Sequence, residues 1–206
     1  MQVTQIEEFT KSRSKVYIDQ EFAFVLYKGE LRLYHIKEGE TLPPDTYRTI
    51  MEEVLPKRAR LRAMNLLKNR EYTTAQLRRK LKQGWYPEKV IDDALKYVAS
   101  FHYTDDLRYA AEYIACHEES RSRRRIEQDL LRKGISDAII QSAWEQWEEQ
   151  GGIQNEEQMI RKLLEKRNYD SEHADYAERQ KQCAFLMRKG FSGESIRHVM
   201  QVYGTE

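Results

Sequence analysis

The stretch "LLRKGIS", Leu130–Ser136, reads as the end of one helix and the start of the next. Arg132 and Lys133 place cations in a last turn, Gly134 follows, and Ser136 stands ready to cap. Glycine accepts the left-handed conformation that ends helices, and cations complement the negative end of the helix dipole. Related phrases occur at "KLKQGWY", Lys80–Tyr86, and "FLMRKGFS", Phe185–Ser192. Local chemistry accounts for each phrase alone. Three of them, about fifty residues apart, point to a repeat.

A shift of 49 positions places Leu77 on Ile126, Leu81 on Leu130, Tyr86 on Ile135, Ile91 on Ile140 and Ala94 on Ala143. It also places Leu95 on Trp144 and Val98 on Trp147, while Gly84 falls one place before the position of Gly134. A further shift of 56 places Leu130 on Leu186, Gly134 on Gly190, Ile135 on Phe191, Ile140 on Ile196 and Trp144 on Met200. Coincidence of glycine, caps and apolar face predicts three copies of a three-helix unit. Such units gain stability by stacking, so an elongated, curved array is expected. The expected divisions are 1–55 for an N-terminal extension with a linking helix, then repeats over 57–100, 101–150 and 153–206. Start signals support the helices: Thr73 or Thr74, Pro87, Thr104, Ser136, Asn155 and Ser192 each precede an amphipathic run.

The first forty residues differ. "KVYIDQEFAFVLYKGELRLYHI", Lys15–Ile36, is rich in β-branched and aromatic residues, with turn candidates at Asp19–Gln20 and Lys28–Gly29. The alternation of Phe22, Phe24 and Leu26 with Ala23, Val25 and Tyr27 has the period of a strand. A small antiparallel sheet of two or three strands is predicted, leaning on the helices for stability. Pro43, Pro44 and Asp45 start a helix that Pro56 is expected to end or kink.

The fold class is therefore mainly α with a small β extension. Charged residues make up 33% and hydrophobic ones 40% of 206, with 9 Gly and 4 Pro, the profile of a soluble helical chain. No apolar run reaches the roughly 18 residues that span a bilayer, and the N-terminus shows no signal-peptide core. Cys116 and Cys183 stand alone, as reduced thiols of a cytoplasmic protein do. The net charge of +1 hides an asymmetry: between Lys57 and Lys82 ten residues are basic and only Glu71 is acidic. Such segregation favours a polyanionic or acidic partner.

Several segments together resemble the RecX family of regulators of the bacterial recombinase RecA. They are "EYTTAQLRRKL", "VIDDALKYV", "YTDDLRYAAEYI", "RRRIEQDLLRKGIS" and "FLMRKGFSGESIRHVM". The family's opening of the second repeat is matched by Tyr103, Asp105, Asp106, Tyr109 and Ala110, and the following helix by Arg125, Ile126, Leu130, Lys133, Gly134 and Ile135. The likeness runs from about Arg60 to the C-terminus; no single motif is specific, but their order and spacing are. Two departures are "SRSRRR", Ser120–Arg125, and the early Gly84. The resemblance implies a protein that binds the RecA–DNA filament and inhibits its ATPase, strand-exchange and coprotease activities; a monomer without enzymatic activity is expected.

Catalytic chemistry finds little support. The sequence holds no glycine-rich phosphate loop, no nucleophile elbow and no His or Cys pair at metal-ligand spacing, so no cofactor is expected. Asp92–Asp93 and Asp105–Asp106 read as an exposed helical pair and a helix N-terminal pair. Trp144, Trp147, Phe191 and Tyr203, at helical spacing, read as core; Trp85 and Tyr86 stay open between core and base-stacking roles. Function is instead expected from basic side chains: Arg78, Arg79 and Lys82 in the first repeat, Arg121, Arg124, Arg125, Arg132 and Lys133 in the second, and Arg188 and Lys189 in the third. On a helical wheel Arg121, Arg125 and Arg132 share a side away from Ile126 and Leu130, and Arg124 borders it. The rival for these arginines is a solvated face paired to Glu127 and Asp129. Weak, sequence-independent binding to single-stranded DNA is expected. The rival function is a helix-turn-helix-like DNA-binding protein without a recombinase partner.

Overall fold

Residues 1–170 and 173–202 are described by the structure, a computed structural model. The chain forms two compact units, Met1–Asp105 and Asp106–Glu206.

In the first unit, strands β1 (Val3–Thr10), β2 (Arg13–Ile18) and β3 (Glu21–Tyr27) form an antiparallel meander in that order. The β2–β3 turn is Asp19–Gln20, as expected, and both residues have positive φ, the geometry of the hairpin turn that matches strand twist. Asp19 Oδ1 accepts from the Gln2 amide at 2.9 Å, and Thr4 Oγ1 from the Gln20 amide at 3.0 Å, which holds this conformation without glycine. The turn expected at Lys28–Gly29 is instead the start of helix α1 (Lys28–Leu33). Glu30 accepts from the Tyr27 amide at 2.7 Å and so satisfies an orphan donor where the strand gives way to the helix. One sheet face, Val16, Ile18, Phe24 and Leu26, is buried.

Helix α2 (Pro44–Thr49) does not end at Pro56. It passes through a π-type turn, Ile50–Val54, into α3 (Leu55–Leu67). The Leu55 amide donates to Ile50 O, five residues back. Proline lacks a donor and its ring crowds the carbonyl four residues earlier, so a widened turn just before it keeps the helix continuous. With α4 (Thr74–Lys82) and α5 (Glu88–Ser100), α3 forms the first three-helix repeat. Ile50, Leu55, Ala59, Leu77, Leu81 and Ile91 share one core with the inner face of the sheet. Arg58 fastens the two, donating to Val25 O at 3.1 Å and pairing with Glu30.

The second unit holds two repeats, α6 (Asp106–His117), α7 (Arg123–Lys133), α8 (Asp137–Glu149), and α9 (Glu156–Glu165), α10 (Tyr176–Arg188), α11 (Gly193–Val202). The three-fold repetition is borne out at its register positions: Leu81, Leu130 and Leu186 are all fully buried, as are Leu77 and Ile126. Thr73 caps α4, accepting from the Gln76 amide at 3.2 Å while Gln76 Oε1 accepts from the Thr73 amide. Ser136 and Asn155 cap as expected. Asp175 caps α10, and Ser122, inside the divergent "SRSRRR", caps α7.

Gly134 and Gly190 take φ of 89° and 90°, with Ile135 N donating to Leu130 O and Phe191 N to Leu186 O. In the first repeat this left-handed position belongs to Trp85 (φ 62°), not Gly84, in the register of the 49-residue shift. Gly84 serves a different need: a Cβ there would lie 2.9 Å from the Tyr86 ring.

Ser122 Oγ also donates to Lys189 O at 3.0 Å and thereby joins the second repeat to the third. A Cβ at Gly190 would sit 2.7 Å from that oxygen. Gly190→Ala should therefore cost more than the ~1–2 kcal/mol of left-handed strain alone. In thermal denaturation, Ser122→Ala combined with Gly190→Ala should cost less than the sum of the single changes, because each partly relieves the other. Strict additivity would show that the contact is not shared.

Candidate functional site

The expected basic residues divide among three environments. In the first unit Arg78 pairs with Glu88 at 3.1 Å and Asp92 at 2.5 Å, and Lys82 pairs with Glu88 at 2.5 Å. Arg60 forks onto Asp93 at 2.8 and 2.9 Å. Part of the basic excess between Lys57 and Lys82, namely Arg60, Arg78 and Lys82, therefore closes helix on helix. The acidic pair Asp92–Asp93 is accounted for by the same bridges. Arg79 is exposed and, among the described residues, has no ionic partner.

In the second unit, Arg121, Arg125, Arg132, Lys133, Arg188 and Lys189 line one cavity of about 780 Å³. Three arginines of the second repeat meet at a single carboxylate. Asp129 lies 2.7 Å from Arg121, 3.5 Å from Arg125 and 2.6 Å from Arg132. Its side chain is only 12% exposed, against 39%, 43% and 60% for the three arginines. The carboxylate is sunk beneath guanidinium groups whose outer donors still face the cavity. Each guanidinium has five N–H donors, and one carboxylate cannot occupy fifteen. Arg121 stands in the turn before α7 rather than on it; the wheel grouped the right residues, but a turn and two helix positions bring them together.

Tyr113 completes the wall. Its hydroxyl accepts from Arg121 at 2.6 Å, and its ring stacks on His117 at 4.1 Å. Lys133 lies 5.1 Å from the Tyr113 centroid, and Lys189 5.6 Å from that of Phe185. From the third repeat, Arg188 has no ionic partner among the described residues. Six cations and the Asp129 carboxylate thus line one cavity with an aromatic and aliphatic floor that includes Leu163 and Phe191. Chemically, guanidinium forks arranged in this way match the geometry of phosphate and carboxylate oxygens.

Arg124 is placed elsewhere. It lines a second cavity of about 650 Å³ with Trp147, Glu148 and Gly190. Arg123, which was not expected to matter, spends its donors on Glu127 and Glu148 and lies 4.6 Å from the Trp144 ring. Trp144 and Phe191 are core, and Trp147 is half-buried against it. Tyr203 lies outside the described residues. Tyr86 belongs to the core margin, and burial raises the pKa of its hydroxyl. Trp85 remains exposed at 40%. Asp129 was visible in sequence as an intrahelical partner; nothing local marked Tyr113.

No group of three His, Cys, Asp or Glu that could hold a metal ion occurs among the described residues. No helix among them is long and apolar enough to cross a membrane.

Three family models match the chain in order. The first three-helix domain of RecX matches residues 59–97, the second 105–143 and the third 155–200. Among curated relatives, the regulatory protein RecX of Caldanaerobacter subterraneus is 28% identical, over 98% of this chain and all of that one. Its counterpart from Clostridium acetobutylicum is 26% identical, over 97% and 94% of the two chains. A crystal structure of a regulatory protein RecX superposes with a TM-score of 0.62 at 26% identity, covering 97% of this chain and 98% of that one. RecX from Lactobacillus salivarius, at 21% identity and a TM-score of 0.61 over 73% of this chain and 97% of that one, shares the fold. With its three helical repeats matched one by one in the family's order, and relatives aligned along nearly its whole length, the chain belongs to the RecX family of regulatory proteins.

Proposed function

We propose that this protein acts in the cytoplasm as a monomer that binds the RecA–DNA filament and inhibits its ATPase, strand-exchange and coprotease activities. The observation that supports this reading best is the cavity lined by six cations, three of which, Arg121, Arg125 and Arg132, converge on the single carboxylate of Asp129. A filament groove offers phosphates and protein carboxylates together, and a guanidinium cluster can fork onto either. In this reading Asp129 holds the arginines in place and yields some of their donors when the polyanion arrives. Arg124 on the second cavity and, separately, Arg79 in the first unit are further candidates for contact; Arg78 and Lys82, already paired, add little. The deciding experiment is RecA ATPase on single-stranded DNA with and without the protein. Suppression at low ratios, without DNA sequence preference, is expected. Selection of one duplex with no effect on the ATPase would replace the reading by that of a helix-turn-helix-like DNA-binding protein.

The cavity also makes a prediction about salt. Binding to single-stranded DNA alone should be weak and fall steeply with salt, with a log–log slope near −0.7 per phosphate engaged. Asp129→Asn should strengthen that binding at low salt and steepen the slope, because it frees guanidinium donors without removing a cation. An isotherm that Asp129→Asn leaves unchanged at every salt concentration would place the phosphates elsewhere.

A further inference from the structure

The outer face of the N-terminal sheet carries a second cluster, unrelated to the arginine cavity. Phe9 on β1 and Phe22 on β3 flank Trp85 at centroid distances of 5.9 and 5.5 Å, and Tyr17 on β2 adjoins Phe22 at 5.9 Å. Lys15 Nζ stands 4.4 Å from the indole centroid, and Arg13 lies 5.2 Å from the ring of Phe9. Phe22 is 37% and Trp85 40% exposed, although the opposite sheet face supplies the core.

Backbone preference alone does not account for Trp85. Its backbone sits at φ 62°, where the other two repeats use Gly134 and Gly190. A left-handed tryptophan is disfavoured relative to glycine at the same place. The turn requires only that Tyr86 reach the core beside Gly84, and a glycine at 85 would allow that more easily. What the tryptophan adds is a ring packed between Phe9 and Phe22 with Lys15 over it and 40% of its surface still exposed, on a sheet whose three strands each present an aromatic to the same cluster.

We propose that this face is a stacking site for single-stranded nucleic acid, with unpaired bases packed on Trp85 and Phe22 and neighbouring phosphates drawn to Arg13 and Lys15. Aromatic side chains on adjacent strands of an antiparallel sheet are a general means of holding unstacked bases, and every base offers a π-face. Charge is complementary but modest. Arg13 has no carboxylate partner among the described residues, whereas Lys15 is shared with Glu7 at 3.6 Å, and Glu8 holds Lys28 at 3.1 Å. The site is therefore dominated by stacking, and its salt dependence is shallower than that of the arginine cavity.

The test needs no recombinase, so its outcome is independent of the filament reading. The full chain is titrated with a short oligothymidylate and with an abasic oligomer of the same length, following tryptophan fluorescence and anisotropy. Thymidylate is expected to quench the fluorescence and to bind more tightly than the abasic oligomer. Trp85→Gly keeps the turn and removes the ring; it should weaken thymidylate binding by about 5- to 150-fold, the range of one lost stack. It should leave abasic binding unchanged, with an intact melting transition. Phe22→Ser provides a second variant outside the strained turn and should act in the same direction. Equal binding of the two oligomers by the parent protein would overturn the proposal, whichever variants fold. So would thymidylate binding that survives in folded Trp85→Gly.

Discussion

Replacing Arg121, Arg125 and Arg132 together by Glu is expected to lower suppression of the RecA ATPase by orders of magnitude. These residues surround Asp129, so the change converts three cations over one carboxylate into four carboxylates facing the same cavity. Like charges brought against a polyanionic partner cost several kcal/mol. Asp129 is only 12% exposed and loses all three cationic partners, so the change also lowers folding stability and each variant is compared where it is folded. A triple Gln variant removes the attraction without adding repulsion and should fall between the parent and the Glu variant. Arg124→Glu, on the other cavity, should do less than any pair of the three. Lys162 and Lys166, exposed on α9 and just beyond it and absent from the cavity lining, should tolerate Glu with little effect. Arg167 is a poor control, because it donates to Gln182 at 2.8 Å and covers Phe185 at 4.2 Å. If the triple Glu variant is folded by circular dichroism and inhibits as the parent does, the cavity is not the contact surface.

The largest effects on stability are expected at the three leucines that the repeat superposes. Leu81→Ala, Leu130→Ala and Leu186→Ala each empty a fully buried site in the second helix of a repeat. Such truncations cost about 3–5 kcal/mol, the lost transfer energy plus the cavity left behind. For units of about a hundred residues this lowers the melting temperature by roughly 4–8 °C per kcal/mol. Leu81→Ala should act on the unit Met1–Asp105, and the other two on Asp106–Glu206, so calorimetry should move different transitions. Leu131, the exposed neighbour of Leu130, should change stability by no more than about 0.5 kcal/mol on replacement by Ala. A Leu131→Ala cost equal to that of Leu130→Ala would mean that the repeat register is wrong.

The repeat was legible because helix caps, glycines and apolar spacing are local chemistry, and local chemistry repeats when a unit repeats. Thr73, Ser136 and Asn155 cap where their side chains can reach amides two or three residues on, which needs no tertiary contact. Strand β1 was not legible, since "VTQIEEFT" buries only Val3 fully and owes its extended form to pairing with β2. The helix at Lys28 escaped for the opposite reason: its apolar residues suit a strand, and the Glu30 to Tyr27 bond decided otherwise. Pro56 broke no helix, because a π-type turn absorbed it.

The candidate site divides in the same way. The sequence by itself determined how many cations each repeat carries and that α7 presents a basic side. It could not determine which cations are already spent. Arg78 and Lys82 close on Glu88 in the next helix, while Arg121, Arg125 and Arg132 share Asp129 with donors left over. Bringing Arg188 and Lys189 beside them requires the third repeat to meet the second through Ser122 and Lys189, a contact 67 residues apart in the chain. Charge is a property of composition, but the free charge that a partner meets depends on which carboxylates the fold brings within reach. That pairing is non-local, and only the tertiary structure decides it.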